Sequence, residues 1–303
     1  MDSFNNQFLF SILIIALGYF LKQTNLLKEK DGESLARVVF NITLPALIIV
    51  TFNDIQFESS LFLLIVIAII YGLFTGFLGI YLFRKESKDV KGMLAMMVPG
   101  FNIGLFAYPL VEVIWGIEGL RYFGMFDVGN AFIVFGLAYL IASYYSGGEV
   151  KLDVKTIVWK MSKSVPLMTY IVVCTVNIIG LRFPSVVTEV ASTISLANMP
   201  LSLLLLGIYF RFTFDKSYVR YFVKYIVLKY VVGLVLGISL FYILPFDDMF
   251  KYTLMIGFIL PTPTSVLPFA VEFGYDKRFV GTLANLTIVI SFILIWLMVN
   301  IVT

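Results

Sequence analysis

Ten apolar stretches, each about long enough to cross a hydrocarbon core of roughly 30 Å, follow one another along this chain at about 7–22, 36–53, 61–83, 92–111, 122–144, 164–181, 194–211, 223–244, 250–270 and 279–301. They leave little chain for anything else. The pattern reads as an all-α integral membrane protein of ten transmembrane helices. Composition agrees, with 60% hydrophobic and only 14% charged residues, where a soluble domain carries about a quarter charged.

The first stretch has no basic residue before it and no small-residue cleavage site after its apolar core, so it reads as a retained helix, not a cleaved signal. Cys174 is the single cysteine and lies inside the sixth stretch, and the chain has no histidine. Intramolecular disulfides, histidine or cysteine metal sites and histidine-based catalysis are therefore excluded. No cofactor and no nucleic-acid partner are expected.

The net charge of +3 matters less than where the basic residues fall. Lys22, Lys28, Lys30 and Arg37 flank the first connection, Arg84, Lys85, Lys88 and Lys91 the third, and Lys151, Lys155, Lys160 and Lys163 the fifth. Arg211, Lys216, Arg220 and Lys224 flank the seventh, and Lys277 and Arg278 the ninth. Even connections hold only Arg121, Arg182 and Lys251, and the tails hold none. Odd connections are thus expected in the cytoplasm and both termini outside, as for a multi-pass protein of the plasma membrane.

Ten spans divide into residues 1–148 and 149–303, two five-helix repeats that together make one transmembrane domain. A repeat with an odd number of spans must insert its second copy upside down. Leu44-Pro45 pairs with Met199-Pro200, and Gly129-Asn130 with Ala284-Asn285, at an offset of 155. Between these pairs lie two stretches with helix breakers at their centres. Asn102-Ile-Gly104-Leu-Phe-Ala-Tyr-Pro109 in the fourth span overlays Pro261-Thr-Pro263-Thr-Ser-Val-Leu-Pro268 in the ninth, at an offset of 159. Broken backbone persists in a bilayer only where protein buries it or where it lines a watery cavity, so the pair points to a binding site at mid-membrane.

Each proline leaves the carbonyl four residues earlier without its helical donor. Pro109 would free Leu105; Pro261, Pro263 and Pro268 would free Gly257, Ile259 and Thr264; Pro45 and Pro200 would free Asn41 and Leu196. Such carbonyls suit cations or hydroxyls, and the half-helix after a break offers N–H groups to a carboxylate. Three prolines are expected to interrupt the ninth span outright, while a lone Pro109 leaves the fourth either unwound or merely kinked. Asn102 offers an amide donor, Gly104 room for a close backbone approach, and Thr262, Thr264 and Ser265 hydroxyls at equivalent depth. Prolines that only kink their helices are the plainer alternative.

Asp127 lies inside the fifth span with Asn130 on the same face. It reads either as a proton carrier or site organiser, or as a near-interface acid paired with Arg121. Lys229 sits deeper than its basic neighbours, and its long stem is expected to snorkel to the cytoplasm. Asn41 and Asn285 open glycosylation sequons inside apolar spans and read as buried amides. Asp247-Asp248 is an acidic pair without a second acidic motif and gives little support to a metal-diphosphate enzyme.

Asn41-Ile-Thr-Leu-Pro45-Ala-Leu-Ile, Asn102-Ile-Gly104-Leu-Phe-Ala-Tyr-Pro109 and Asp127-Val-Gly-Asn130 together resemble the auxin efflux carrier family, which includes bacterial malate and malonate permeases and plant auxin carriers. The resemblance covers the whole chain. It implies two inverted five-helix repeats, with broken helices 4 and 9 crossing near mid-membrane around Asn102–Pro109 and Pro261–Pro268, and Asn102 holding a substrate carboxylate. The long cytoplasmic loop of the canal-type plant carriers is missing.

The sequence therefore reads as a secondary transporter, not an enzyme, that moves a small organic anion such as a mono- or dicarboxylate or an auxin-like acid by alternating access. Asn102, Gly104, Pro109, Asn41, Pro261, Thr262, Pro263, Thr264 and Ser265 are the expected substrate site, and Asp127 with Asn130 the expected proton-coupling group. A ligand-sensing receptor or a channel on the same fold is the alternative. Broad apolar faces are compatible with a homodimer.

Overall fold

The computed structural model describes residues 2–55, 58–146, 154–211 and 215–302. Among the described residues every regular element is helical. The expected boundary between repeats at 148 and 149, with Lys151 beside it, lies outside them.

Six helical segments among the described residues are long and apolar enough to cross a membrane: Glu29–Phe52, Ser59–Leu82, Ile103–Tyr145, Ser185–Tyr209, Lys216–Ile243 and Lys277–Ile301. Ile103–Tyr145 has 43 residues, which at about 1.5 Å each would run roughly twice the thickness of a hydrocarbon core. It does not run straight. Gly116, at φ 59° and ψ −145°, leaves the helical region and divides it into two rods. Two shorter apolar helices, Phe8–Gln23 and Val165–Ile178, accompany the long ones. The remaining apolar chain is interrupted: Lys88–Met97 stops before Ile103, and Asp248–Gly257 stops before Val266–Glu272.

Side-chain polarity runs as a lipid solvent requires. Along Val219–Ile243, Val223, Val227, Val231, Val235, Ile238 and Tyr242 are exposed at helical spacing. Phe222, Tyr225, Lys229, Gly233 and Gly237 of the same helix are buried. Ser59–Leu82 repeats the arrangement, with Phe62, Val66, Ile70, Phe74, Phe77 and Tyr81 exposed and Leu64, Ala68, Tyr71, Thr75 and Gly79 buried. An apolar outer stripe opposite a buried face that carries hydroxyls and an ammonium group fits a helix between hydrocarbon and protein.

Without a hydrophobic drive between helices in lipid, close contact depends on small residues. Asp2–Gln23 and Asn198–Tyr209 meet in this way. A Cβ at Gly18 would fall 2.2 Å from Leu204 O, and one at Gly207 would fall 2.0 Å from Ile15 O, so the two backbones pack with no side chain between them. Gly207→Val is therefore expected to lower the thermal midpoint of the purified protein by several degrees or to abolish its accumulation, since overpacking costs about 1–3 kcal/mol and backbone cannot yield as a side chain does. Gly136→Ala, where an added Cβ meets nothing within 4 Å, is expected to leave the melt unchanged.

Candidate functional site

The two interruptions meet. Pro99 lacks an N–H and Gly100 takes φ 84°, a left-handed conformation that side-chain-bearing residues rarely adopt, so the chain leaves the helix after Met97. It resumes as a wide π turn over Ile103–Ala107 and continues as α-helix from Tyr108. Pro261 and Pro263 lie in the second gap, between Gly257 and Val266. The Asn102 N–H donates to Pro261 O at 2.9 Å, which joins one gap directly to the other.

The fourth span is thus unwound and not merely kinked, but at Pro99-Gly100 and before Asn102. Pro109 lies beyond the unwound residues, where the π turn over Ile103–Ala107 passes into α-helix at Tyr108. Pro268 similarly lies inside Val266–Glu272.

Backbone groups released by the gaps find protein partners. In the first gap, Met97 O accepts from Tyr225 Oη (2.6 Å), Gly100 O from Lys229 Nζ (3.4 Å), and Phe101 O from Asn130 Nδ2 (3.1 Å). Asn130 Oδ1 also accepts from the Phe101 N–H at 2.8 Å, so one amide clamps both sides of one residue. In the second gap, the Thr262 N–H donates to Thr287 Oγ1 (3.1 Å) and Ile259 O accepts from Ser291 Oγ (2.6 Å). Gly257 O and Thr264 O accept from the N–H groups of Leu260 and Leu267. The expectation that proline-freed carbonyls stand ready as ligands therefore fails at Gly257, Ile259 and Thr264. The second half-helix presents no free first turn either, because the N–H groups of Val266, Leu267 and Phe269 donate to Pro263 O, Thr264 O and Ser265 O.

Among the described residues at the two gaps, one side-chain donor is left over. Asn102 caps the half-helix behind it, its Oδ1 accepting from the Leu105 N–H at 3.4 Å. Its Nδ2 is buried and has no partner. A buried amide donor left unpaired costs about 1–3 kcal/mol, which a ligand oxygen would recover.

A cavity of about 1410 Å³ reaches this point. Asn102, Gly104, Asn41, Thr262, Pro263, Thr264, Ser265, Asp127 and Asn130 all line it, together with Arg211, Lys277 and Arg278. Pro109 and Pro261 are not among its lining residues. The Thr262 hydroxyl is held by Tyr225 Oη at 2.6 Å. Gly104 faces the Phe40 ring and Leu44, not another backbone, with the ring 3.2 Å from where a Cβ would stand. Asn41 is exposed and donates to Arg37 O, so it is not the buried amide expected; Asn285 is buried and donates to Tyr209 O and Arg211 O.

Asp127 accepts from Tyr108 Oη at 2.8 Å and from Asn130 Nδ2 at 3.1 Å, and Tyr108 Oη in turn bonds Tyr170 Oη. Arg121 does not pair with it; its Nε donates to Thr51 O. Lys229 does not snorkel. Only 3% exposed, it turns into the protein, with Nζ on Gly100 O and 4.6 Å from the centre of the Phe101 ring. Tyr108, Tyr170, Tyr225, Thr287 and Ser291 are the functional-site residues that sequence reasoning missed.

Two interrupted helices joined at their gaps, beside a large, mainly apolar cavity that carries a few polar and charged side chains in a lipid-facing bundle, define a membrane transport protein. The model of the family described as "membrane transport protein" matches residues 4–299. The chain belongs to that family, the auxin efflux carriers. Among its relatives, an uncharacterized transporter of Methanothermobacter thermautotrophicus is 26% identical over 290 residues, covering 93% of each chain. Another, from Methanocaldococcus jannaschii, is 21% identical over 303 residues, covering 95% of this chain and 97% of the relative.

Asn130→Ala removes both bonds to Phe101 at once. It is expected to destabilise the purified protein by about 2–4 kcal/mol, as two buried backbone groups lose their partners. Unfolding followed by the accessibility of Cys174 to a thiol reagent measures the loss.

Proposed function

We propose that the protein is a secondary transporter that moves a small organic anion, a mono- or dicarboxylate or an auxin-like acid, by alternating access. The observation that carries this reading is the unpartnered Asn102 Nδ2 at the cavity, beside the joint between the two gaps. That amide takes one carboxylate oxygen. The first amides of the half-helix at Ile103 add a positive dipole end, and Thr264 and Ser265 extend the polar lining. Receptor and channel readings have no comparable observation behind them, and a family of transporters implies no catalysis.

Ten crossings in two inverted repeats support alternating access. The six long spans become ten when Ile103–Tyr145 is divided at Gly116 and the helices Asp2–Gln23 and Val165–Ile178 and the interrupted ninth span, Asp248–Gly257 with Val266–Glu272, are added. Two contacts favour the pseudo-twofold relation. Asn102 bonds Pro261, its own counterpart at an offset of 159, and Thr43 Oγ1 bonds Asn198 Oδ1 at 3.0 Å, again its counterpart, at 155. Only residues near a twofold axis touch their own equivalents.

In this mechanism spans 3–5 and 8–10 form a core that moves against a scaffold of spans 1, 2, 6 and 7. Tyr108–Tyr170, Arg121–Thr51 and Asn285 with Tyr209 and Arg211 bridge the two, and these bonds exchange as the core moves. The cavity reaches Arg211, Lys277 and Arg278, which flank odd connections, so this state opens to the cytoplasm, with both termini outside the plasma membrane. Asp127 couples the cycle to protons.

Proteoliposomes loaded for uptake of labelled malate, malonate or indole-3-acetate test the site. Asn102→Ala is expected to reduce uptake at least tenfold, and unchanged uptake by a correctly folded variant rules the site out. Asp127→Asn is expected to abolish the dependence on an imposed pH gradient and to spare counterflow. Gradient-driven uptake that survives this change removes Asp127 from the coupling step.

A further inference from the structure

Lys229 is the one charged side chain among the described residues with less than a tenth of its surface exposed. An ammonium group inside a bilayer is costly unless something nearby needs its charge. No carboxylate of a described residue lies within ion-pair distance of it, and its contacts are Gly100 O and the Phe101 ring. Its Nζ therefore meets the unwound segment at Gly100, two residues before the Asn102 that presents the unpaired amide.

The far side of that strand carries the opposite charge. From Lys229 Nζ a continuous path runs through Gly100 O, the Phe101 N–H, Asn130 Oδ1 and Asn130 Nδ2 to Asp127 Oδ1. Asp127 lines the cavity and Lys229 does not. An ionised Asp127 facing the cavity repels a carboxylate; Arg211, Lys277 and Arg278 line the cavity, and among the described residues Lys229 is the cation bonded to the unwound segment itself. The valine stripe of Val219–Ile243 places Lys229 away from lipid, where its stem would otherwise carry the charge to the interface.

We propose that Lys229 is the positioning residue that makes this site select anions: it acts through the Gly100–Phe101 peptide as the buried countercharge to Asp127. The assignment rests on the carboxylate site described above. A charge near Gly100 lies roughly 8 Å from a ligand at Asn102. At that separation, with an effective dielectric near 20, removing it changes an anion's affinity by about 30-fold.

The experiment compares binding of acids and their neutral amides to purified protein: malonate against malonamide, and indole-3-acetate against indole-3-acetamide. Wild type is expected to favour the acids. Lys229→Met is expected to weaken acid binding about 10- to 30-fold with little effect on the amides, and Lys229→Arg to keep the preference. Lys229→Met combined with Asp127→Asn, which removes both charges, is expected to recover it. Lys229→Gln, which retains a donor for Gly100, serves in both comparisons where Lys229→Met does not fold. Equal weakening of acid and amide, or no recovery in the double variant, overturns the role of Lys229 while leaving the carboxylate site standing. Failure of wild type to bind any of the acids overturns both.

Discussion

The hydrogen bond from the Asn102 N–H to Pro261 O is the joint on which the site depends. Hydrocarbon offers no solvent for an unpaired peptide group, so a chain that leaves the helix within it must find partners elsewhere in the protein. Here each gap supplies a partner for the other, and the helices around them donate the rest through Tyr225, Lys229, Asn130, Thr287 and Ser291. The cavity lies where this mutual satisfaction stops one group short. What remains is Asn102 Nδ2, a donor that the fold positions but does not pair.

Much of this was legible in the chain. Apolar stretches of span length, the one-sided basic residues and three close-set prolines all report constraints of the bilayer itself, and such constraints act on sequence directly. The exact place of unwinding was also written there. Pro99-Gly100 is a breaker pair, and it outranks Pro109, which lies within helical backbone at the passage from the π turn to the α-helix. Lys229 was misread because stem length was weighed without helical phase. With valines at 223, 227, 231 and 235 facing out, position 229 falls near the opposite side of the helix.

Other features were out of reach. Which of 17 tyrosines meet cannot be told from a chain so rich in aromatics, and the Tyr108–Tyr170 contact spans 62 positions. The fate of the proline-freed carbonyls was equally hidden, since Ile259 O is taken by Ser291, a partner 32 positions away that only tertiary structure supplies. A freed group is visible in sequence; its occupant is not.

The exposed valine stripe of Val219–Ile243 belongs to the same helix that buries Lys229 against the unwound strand. One face of that helix is wetted by acyl chains while the other holds the site together. In the proposed cycle, in which this helix belongs to the moving core, displacement of the site drags this face through the bilayer, so the work of that cycle includes work on lipid. The thickness and stiffness of the surrounding membrane would then enter its rate as mechanical terms, with no lipid bound at the site at all.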